Sequence, residues 1–132
     1  MKEVILNVKM KSEQTVDTSK TAAYVGSGTA RVFATPMMVA LMENAALKCL
    51  NQFLDEGETS VGIYIAATHV SATPMDMDVY AIAEIVGAEG RKVDFKITAY
   101  DKCGVIGEAE HSRVVVYGEK FENKANEKLK NV

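Results

Sequence analysis

Between Arg31 and Lys48 the chain carries a single charged residue, Glu43, about two turns into a stretch that is otherwise largely apolar. An unpaired carboxylate in such surroundings costs several kcal/mol in desolvation, so it must be paired, hydrogen-bonded or held with a raised pKa. Eight residues earlier Thr35 precedes Pro36, and 26 residues after Glu43 comes His69, on a strand-like run. A carboxylate, a hydroxyl and an imidazole that converge are the groups of general acid/base and nucleophilic chemistry. Singly, each has a plainer explanation: an acid emerging at a helix edge, a threonine that caps a helix, a histidine satisfied within a core. As a set they point to a reacting centre. A helix mouth at Thr35 would add free backbone N–H groups and a positive dipole end, which suit a carbonyl oxygen acquiring negative charge. Acyl transfer is the natural reaction class.

The elements that must position these residues follow from pattern. Ala34-Thr35-Pro36 reads as a helix start, with Thr35 as the N-cap and Pro36 in the first helical position. From Pro36 to about Leu54 the helix is apolar on nearly every side through Leu47, which predicts burial under wrapping strands. Four β-rich runs follow, Ser60 to Ala72, Asp78 to Ala88, Arg91 to Asp101 and Val105 to Tyr117, separated by Gly or Pro turns, and they predict an antiparallel meander. Alternation puts Val61, Ile63, Ile65, Ala67 and His69 on one face of the first run, expected to meet the helix. The third run divides Val93, Phe95, Ile97 and Ala99 from Lys92, Asp94, Lys96 and Thr98, so one face of the sheet is wet. The segment from Glu13 to Val25 is β-prone but ambiguous, and Gly26-Ser27-Gly28 signals a loop. These elements define an α+β class, with residues 1–117 as one domain and 118–132 as a charged tail, a frayed helix or disorder.

Several functions are disfavoured. A net charge of -3 without a Lys/Arg cluster argues against nucleic acid as the main partner. Val4-Ile5-Leu6 is far too short a run for a secretory or membrane segment, and the expected compartment is the cytoplasm. Cys49, in the helical pattern, and Cys103, in a hairpin turn, are expected to be reduced thiols. No metal-ligand spacing is present, since His69 and His111 stand 42 residues apart with no cysteine flanking them. His111, among Glu108, Glu110 and Arg113, reads as part of a solvated strand. Gly26-Ser27-Gly28 completes neither a P-loop nor a dinucleotide fingerprint.

The run Val25-Gly-Ser-Gly, then Val32-Phe-Ala-Thr-Pro-Met-Met-Val-Ala-Leu-Met-Glu43, then Thr59-Ser-Val-Gly62, His69 and Ala72-Thr-Pro74 resembles a hotdog-fold thioesterase of the fluoroacetyl-CoA thioesterase-like family. The resemblance spans about Val25 to Phe121. It implies a hotdog fold, a long antiparallel sheet curled around one central buried helix, and homodimers with acyl-CoA sites at the subunit interface. It makes Thr35, Glu43 and His69 the catalytic set, brings the Gly62 backbone to the acyl group, and places Gly26, Ser27 and Gly28 near the substrate entrance. Coenzyme A enters as part of the substrate, with no separate cofactor, and Arg91, Lys92, Arg113 and Lys120 are candidates to meet its phosphates. Two departures accompany the likeness. Met75-Asp76-Met77 replaces a small Gly-containing turn, and the loop Gly26 to Arg31 has no aromatic residue to cover a tiny acyl group. The expected activity is therefore hydrolysis of a short acyl-CoA. A non-catalytic acyl-CoA-binding dimer and a hotdog hydratase or dehydratase are the rival readings.

Overall fold

The computed structural model describes residues 1–131. In chain order it contains β1 (Lys9–Thr15), a 3-10 turn (Thr18–Lys20), α1 (Ala22–Val25), α2 (Thr35–Asn51), β2 (Glu58–His69), β3 (Asp78–Glu89), β4 (Lys92–Asp101), β5 (Gly104–Tyr117), α3 (Gly118–Asn126) and a closing 3-10 turn (Glu127–Asn131). The strands form one antiparallel sheet in the order β1-β3-β4-β5-β2, so β2 lies at an edge. The meander β3-β4-β5 is joined by tight turns, with left-handed glycines at Gly90 and Gly104.

The ambiguous segment from Glu13 to Val25 resolves into three pieces. β1 begins earlier, at Lys9, and pairs with β3 from Lys9↔Glu84 to Thr15↔Asp78. The Asp17 side chain then accepts from the Ser19 N–H and starts a turn. Thr21 caps α1 through Tyr24, and Gly26, at φ +87°, ends it in the left-handed region that glycine tolerates. At Met75-Asp76-Met77 the left-handed residue is Asp76, φ +73°, so an aspartate takes the conformation a glycine would otherwise supply.

Helix α2 lies in the concave face of the sheet. Its buried side chains, Met38, Leu41, Met42, Ala45, Ala46, Cys49 and Leu50, pack on Val79, Ala81, Ala83 and Ile85 of β3 and on Val93, Phe95, Ile97 and Ala99 of β4. The alternation expected for β4 is present. The helix is covered on one side only, because Ala40, Asn44 and Lys48 remain exposed, and it stops at Asn51, three residues short of Leu54. The N-cap is Ala34, which contributes no side-chain bond, so Thr35 is the first helical residue rather than the cap. Its hydroxyl is thereby free for another partner.

The face expected for β2 is broken by a bulge. The pairing with β5 runs Gly62↔Arg113 and then Tyr64↔Ser112, leaving Ile63 unpaired. One extra residue reverses the alternation beyond it. Ser60 and Gly62 therefore face inward before the bulge, and Ile65 packs on the core after it, while Ile63 is 54% exposed. Val61 and Ile63 do not share the face of Ile65, Ala67 and His69. The tail is helical through Asn126 and largely exposed, and Val132 lies outside the described residues. No described helix is long and apolar enough to cross a membrane.

Candidate active site

The sequence-derived residues gather in two places. At the N-terminus of α2, Thr35 Oγ1 lies 2.8 Å from His69 Nδ1. The last residue of β2 and the first of α2 thus make a hydroxyl–imidazole pair. Phe33 holds the ring edge-on, with centroids 6.4 Å apart and planes at 82°. Phe33 is itself fixed, since its N–H donates to the Thr73 carbonyl and the Thr73 hydroxyl donates to buried Asp101 at 2.7 Å. The pair opens on a cavity of about 320 Å³ lined by Ser27, Phe33, Thr35, His69 and Ser71 among others. Burial pushes the His69 pKa below its ordinary value, with the Ser71 backbone acting in the opposite sense. The ring is neutral at pH 7, and in the tautomer protonated at Nε2 its Nδ1 lone pair can accept the Thr35 proton. His69 Nε2 is buried and has no hydrogen-bond partner among the described residues. The Ala34 carbonyl takes the N–H groups of Met37 and Met38, and Pro36 has none, so the Thr35 N–H is the first free donor of the helix.

Glu43 occupies a second place. It points toward the β2–β5 ladder, where its Oε2 lies 3.3 Å from Arg113 Nη1 of β5, and its side chain is 40% exposed. The deep burial expected of it is therefore corrected: one flank of the carboxylate is open and the other is paired. Gly62 stands against this carboxylate so closely that a Cβ there would fall 2.8 Å from Glu43 Oε2 and 3.2 Å from His111 Cε1. Within one chain the trio is not assembled. Eight helical residues separate Thr35 from Glu43 by about 12 Å, and the strand from Gly62 to His69 spans about 20 Å.

Two expectations for β5 are corrected here. Arg113, expected as a solvated cation, is buried, and its guanidinium is engaged by the Ser60 hydroxyl at 2.8 Å, the Ser60 carbonyl at 3.0 Å, Glu43 and His111. His111, expected in solvent, is 2% exposed and bonds the Tyr64 carbonyl through Nδ1 at 2.7 Å. A signal for both was present: Ala109, His111, Arg113 and Val115 share the inward parity, while Glu108 and Glu110 mark the outward one. The three charges in that run, Glu108, Glu110 and Arg113, mask this parity.

Of the entrance-loop residues, Ser27 lines the Thr35–His69 cavity, Gly26 ends α1, and Gly28 sits where an added Cβ would lie 3.4 Å from the Ala22 Cβ. Among the other candidate cations, Arg91 is bound to Glu58 at 2.7 Å, Lys92 lies 3.5 Å from Asp94, and Lys120 is exposed on α3. Cys49 and Cys103 are both free thiols; burial pushes the Cys49 thiol up to about 11, which makes it a poor nucleophile. Among the described residues no His, Cys, Asp and Glu group gathers where a metal could be held.

One helix cupped by a long antiparallel sheet, with a hydroxyl and an imidazole at the helix mouth, defines a hotdog-fold protein of the thioesterase class. A solved structure of the fluoroacetyl-CoA thioesterase FlK superimposes with a TM-score of 0.91 at 32% identity, covering 96% of this chain and 98% of that one. A thioesterase superfamily member from Thermus thermophilus gives 0.90 at 28% identity, with 100% of each chain covered. The fluoroacetyl-CoA thioesterase of Streptantibioticus cattleyicolor is 40% identical over 97 residues, 74% of this chain and 70% of that protein. The model of the fluoroacetyl-CoA-specific thioesterase family matches residues 16–119. The chain belongs to that family, and it is an acyl-CoA thioester hydrolase.

Proposed function

We propose that this protein hydrolyses short-chain acyl-CoA thioesters as a homodimer whose active sites each draw on both subunits. The observation that carries the chemistry is the Thr35 hydroxyl 2.8 Å from His69 Nδ1 at the start of α2. There His69 takes the proton of the attacking hydroxyl, that of Thr35 or of a water held by it. The thioester carbonyl becomes an oxyanion beside the Thr35 N–H, the C–S bond breaks, and the departing CoA thiolate takes the proton back from His69. Where Thr35 attacks, a water deprotonated by His69 then cleaves the acyl-Thr35 ester, the acid leaves and Thr35 regains its proton; that intermediate would announce itself as a burst of CoA ahead of the steady state.

The dimer is supported by the free edge of β2, where Ile63 and Tyr64 are each 54% exposed. An unpaired, partly apolar edge is a template for another strand. In a two-fold antiparallel pairing, residues facing each other have a constant number sum. A pairing centred on Ala66, with the bulge at Ile63 taking up one residue, sets Gly62 opposite the partner subunit's His69. The Glu43 carboxylate of one subunit then meets the hydroxyl–imidazole pair of the other and polarises or orients the attacking group. Gly62 forms the floor of the acyl pocket through its backbone. A Cβ at this position would fall 2.8 Å from Glu43 Oε2, so only glycine lets the strand backbone come this close to the carboxylate. Gly26, Ser27 and Gly28 border the entrance, and Arg113 serves the acyl side by gripping Glu43 rather than by meeting a phosphate at the mouth. Coenzyme A is substrate here, not cofactor. Residues 1–117 form the catalytic domain in this reading, and two unpaired cysteines favour the cytoplasm.

Purified Glu43→Ala and His69→Ala, assayed for thiol release from acetyl-, propionyl- and butyryl-CoA, should turn over about 10²- to 10⁴-fold more slowly with normal circular dichroism. Wild-type rates in both folded variants would refute the assignment.

A further inference from the structure

The mechanism makes no use of His111, yet it is the most deeply enclosed ionisable side chain near the site, 2% exposed and tilted against Phe95 with ring centroids 6.0 Å apart. Its two nitrogens have different partners. Nδ1 lies 2.7 Å from the Tyr64 carbonyl, an acceptor only, so Nδ1 carries the proton. Nε2 is then a lone pair, and it faces Arg113 Nη1 at 3.3 Å, which can only donate. The same Nη1 has a second hydrogen for Glu43 Oε2, also at 3.3 Å, while Nε and Nη2 are taken by the Ser60 hydroxyl and carbonyl. Every donor of the guanidinium side facing the site is thus assigned. Tyr64 is the residue just past the β2 bulge, so one imidazole ties the bulge to the cation.

We propose that His111 is a positioning residue for Glu43: a neutral imidazole of fixed tautomer that aims the Arg113 guanidinium and keeps the Tyr64 bulge, and with it Gly62, against the carboxylate. The inference rests on the role given to Glu43 above. A protonated ring would oppose donor to donor and cation to cation at Arg113, so the arrangement requires the neutral form. Burial is the largest influence on the ring and lowers its pKa, and the Arg113 charge adds to it, against the Tyr64 carbonyl and the Glu43 charge, which favour the protonated form. The neutral form is therefore the one present at pH 7.

His111→Phe keeps a ring of similar size and removes both nitrogens, and His111→Gln restores an acceptor for Arg113. If the inference holds, His111→Phe folds and dimerises but loses about tenfold or more in kcat with little change in KM, and His111→Gln recovers part of that loss. Combined with Glu43→Ala, His111→Phe adds almost nothing further, because both changes disable one unit. In wild type, heteronuclear NMR should show a neutral, Nδ1-protonated His111 at pH 7 that titrates only below the ordinary histidine range. Unchanged kcat in folded His111→Phe, full additivity with Glu43→Ala, or an Nε2-protonated ring would each overturn the proposal. A defect in kcat without rescue by Gln, accompanied by a large loss of stability, would also overturn it in favour of simple packing. If instead wild type released no thiol, or Glu43→Ala were fully active, the proposed catalytic roles would fail, while the NMR tautomer would still report on the geometry.

Discussion

At the scale of single residues, the site depends on two imidazoles kept neutral by burial. The folded-state pKa values of His69 and His111 both lie below the ordinary 6.5. Below that value the unfolded chain binds protons that the folded chain refuses, so stability is full above it and declines as pH falls. Urea midpoints should hold steady from pH 8 to 7 and drop as pH falls below about 6.5. A flat profile on that acid side would contradict the burial of both rings. Exposed carboxylates act lower down: Asp17, hydrogen-bonded by Lys20 and Ser19, is held at about 2, and its contribution fades only in stronger acid. Catalysis has the same sense, because a protonated His69 cannot accept the Thr35 proton, and its acid limb should fall below the usual histidine range in thiol-release assays.

At the scale of elements, the buried helix, the meander and the alternation of β4 were legible because their periodicity is local and strong. β1 was half hidden, since Lys9, Lys11 and Glu13 alternate with Met10, Ser12 and Gln14, only one of them apolar, and the segment gains its strand character from pairing with β3. The β2 bulge left no local mark, as Ile63 is as β-prone as its neighbours, and with it went the correct face of half the strand. Thr35 and His69 were legible as a pair from their types and places. The Arg113–His111 arrangement was not, because burial of a charge depends on partners 50 to 70 residues away, Ser60 and Glu43. Close backbone approach is equally invisible to pattern. At Gly107 a Cβ would lie 2.4 Å from the Thr68 carbonyl oxygen and 2.7 Å from Met38 Sδ, so the first turns of α2 rest directly on the β2–β5 ladder. Gly107→Ala should cost about 1–3 kcal/mol in chemical denaturation, since it overpacks this contact, and should lower kcat as well by shifting the helix mouth.

For the whole molecule, the proposed division of the site between subunits predicts complementation. In that arrangement Glu43→Ala and His69→Ala homodimers would each lack one half of both sites. A mixed dimer contains one intact site, formed by the unaltered halves of the two chains, so unfolding and refolding an equal mixture should restore about a quarter of wild-type activity. No recovery in a mixture that exchanges subunits would place the whole site within one chain. The same architecture also supplies its own clock. The sulfur of Cys49 lies between helix and sheet, 0% exposed and 3.6 Å from the Val8 carbonyl, while that of Cys103 sits in an open turn. Alkylating reagents should modify the turn thiol within seconds to minutes and reach the inner one only when the helix parts from the sheet. Under slow labelling the ratio of the two rates, corrected for thiol acidity, gives the opening free energy of the native fold in plain buffer, without denaturant or an introduced probe.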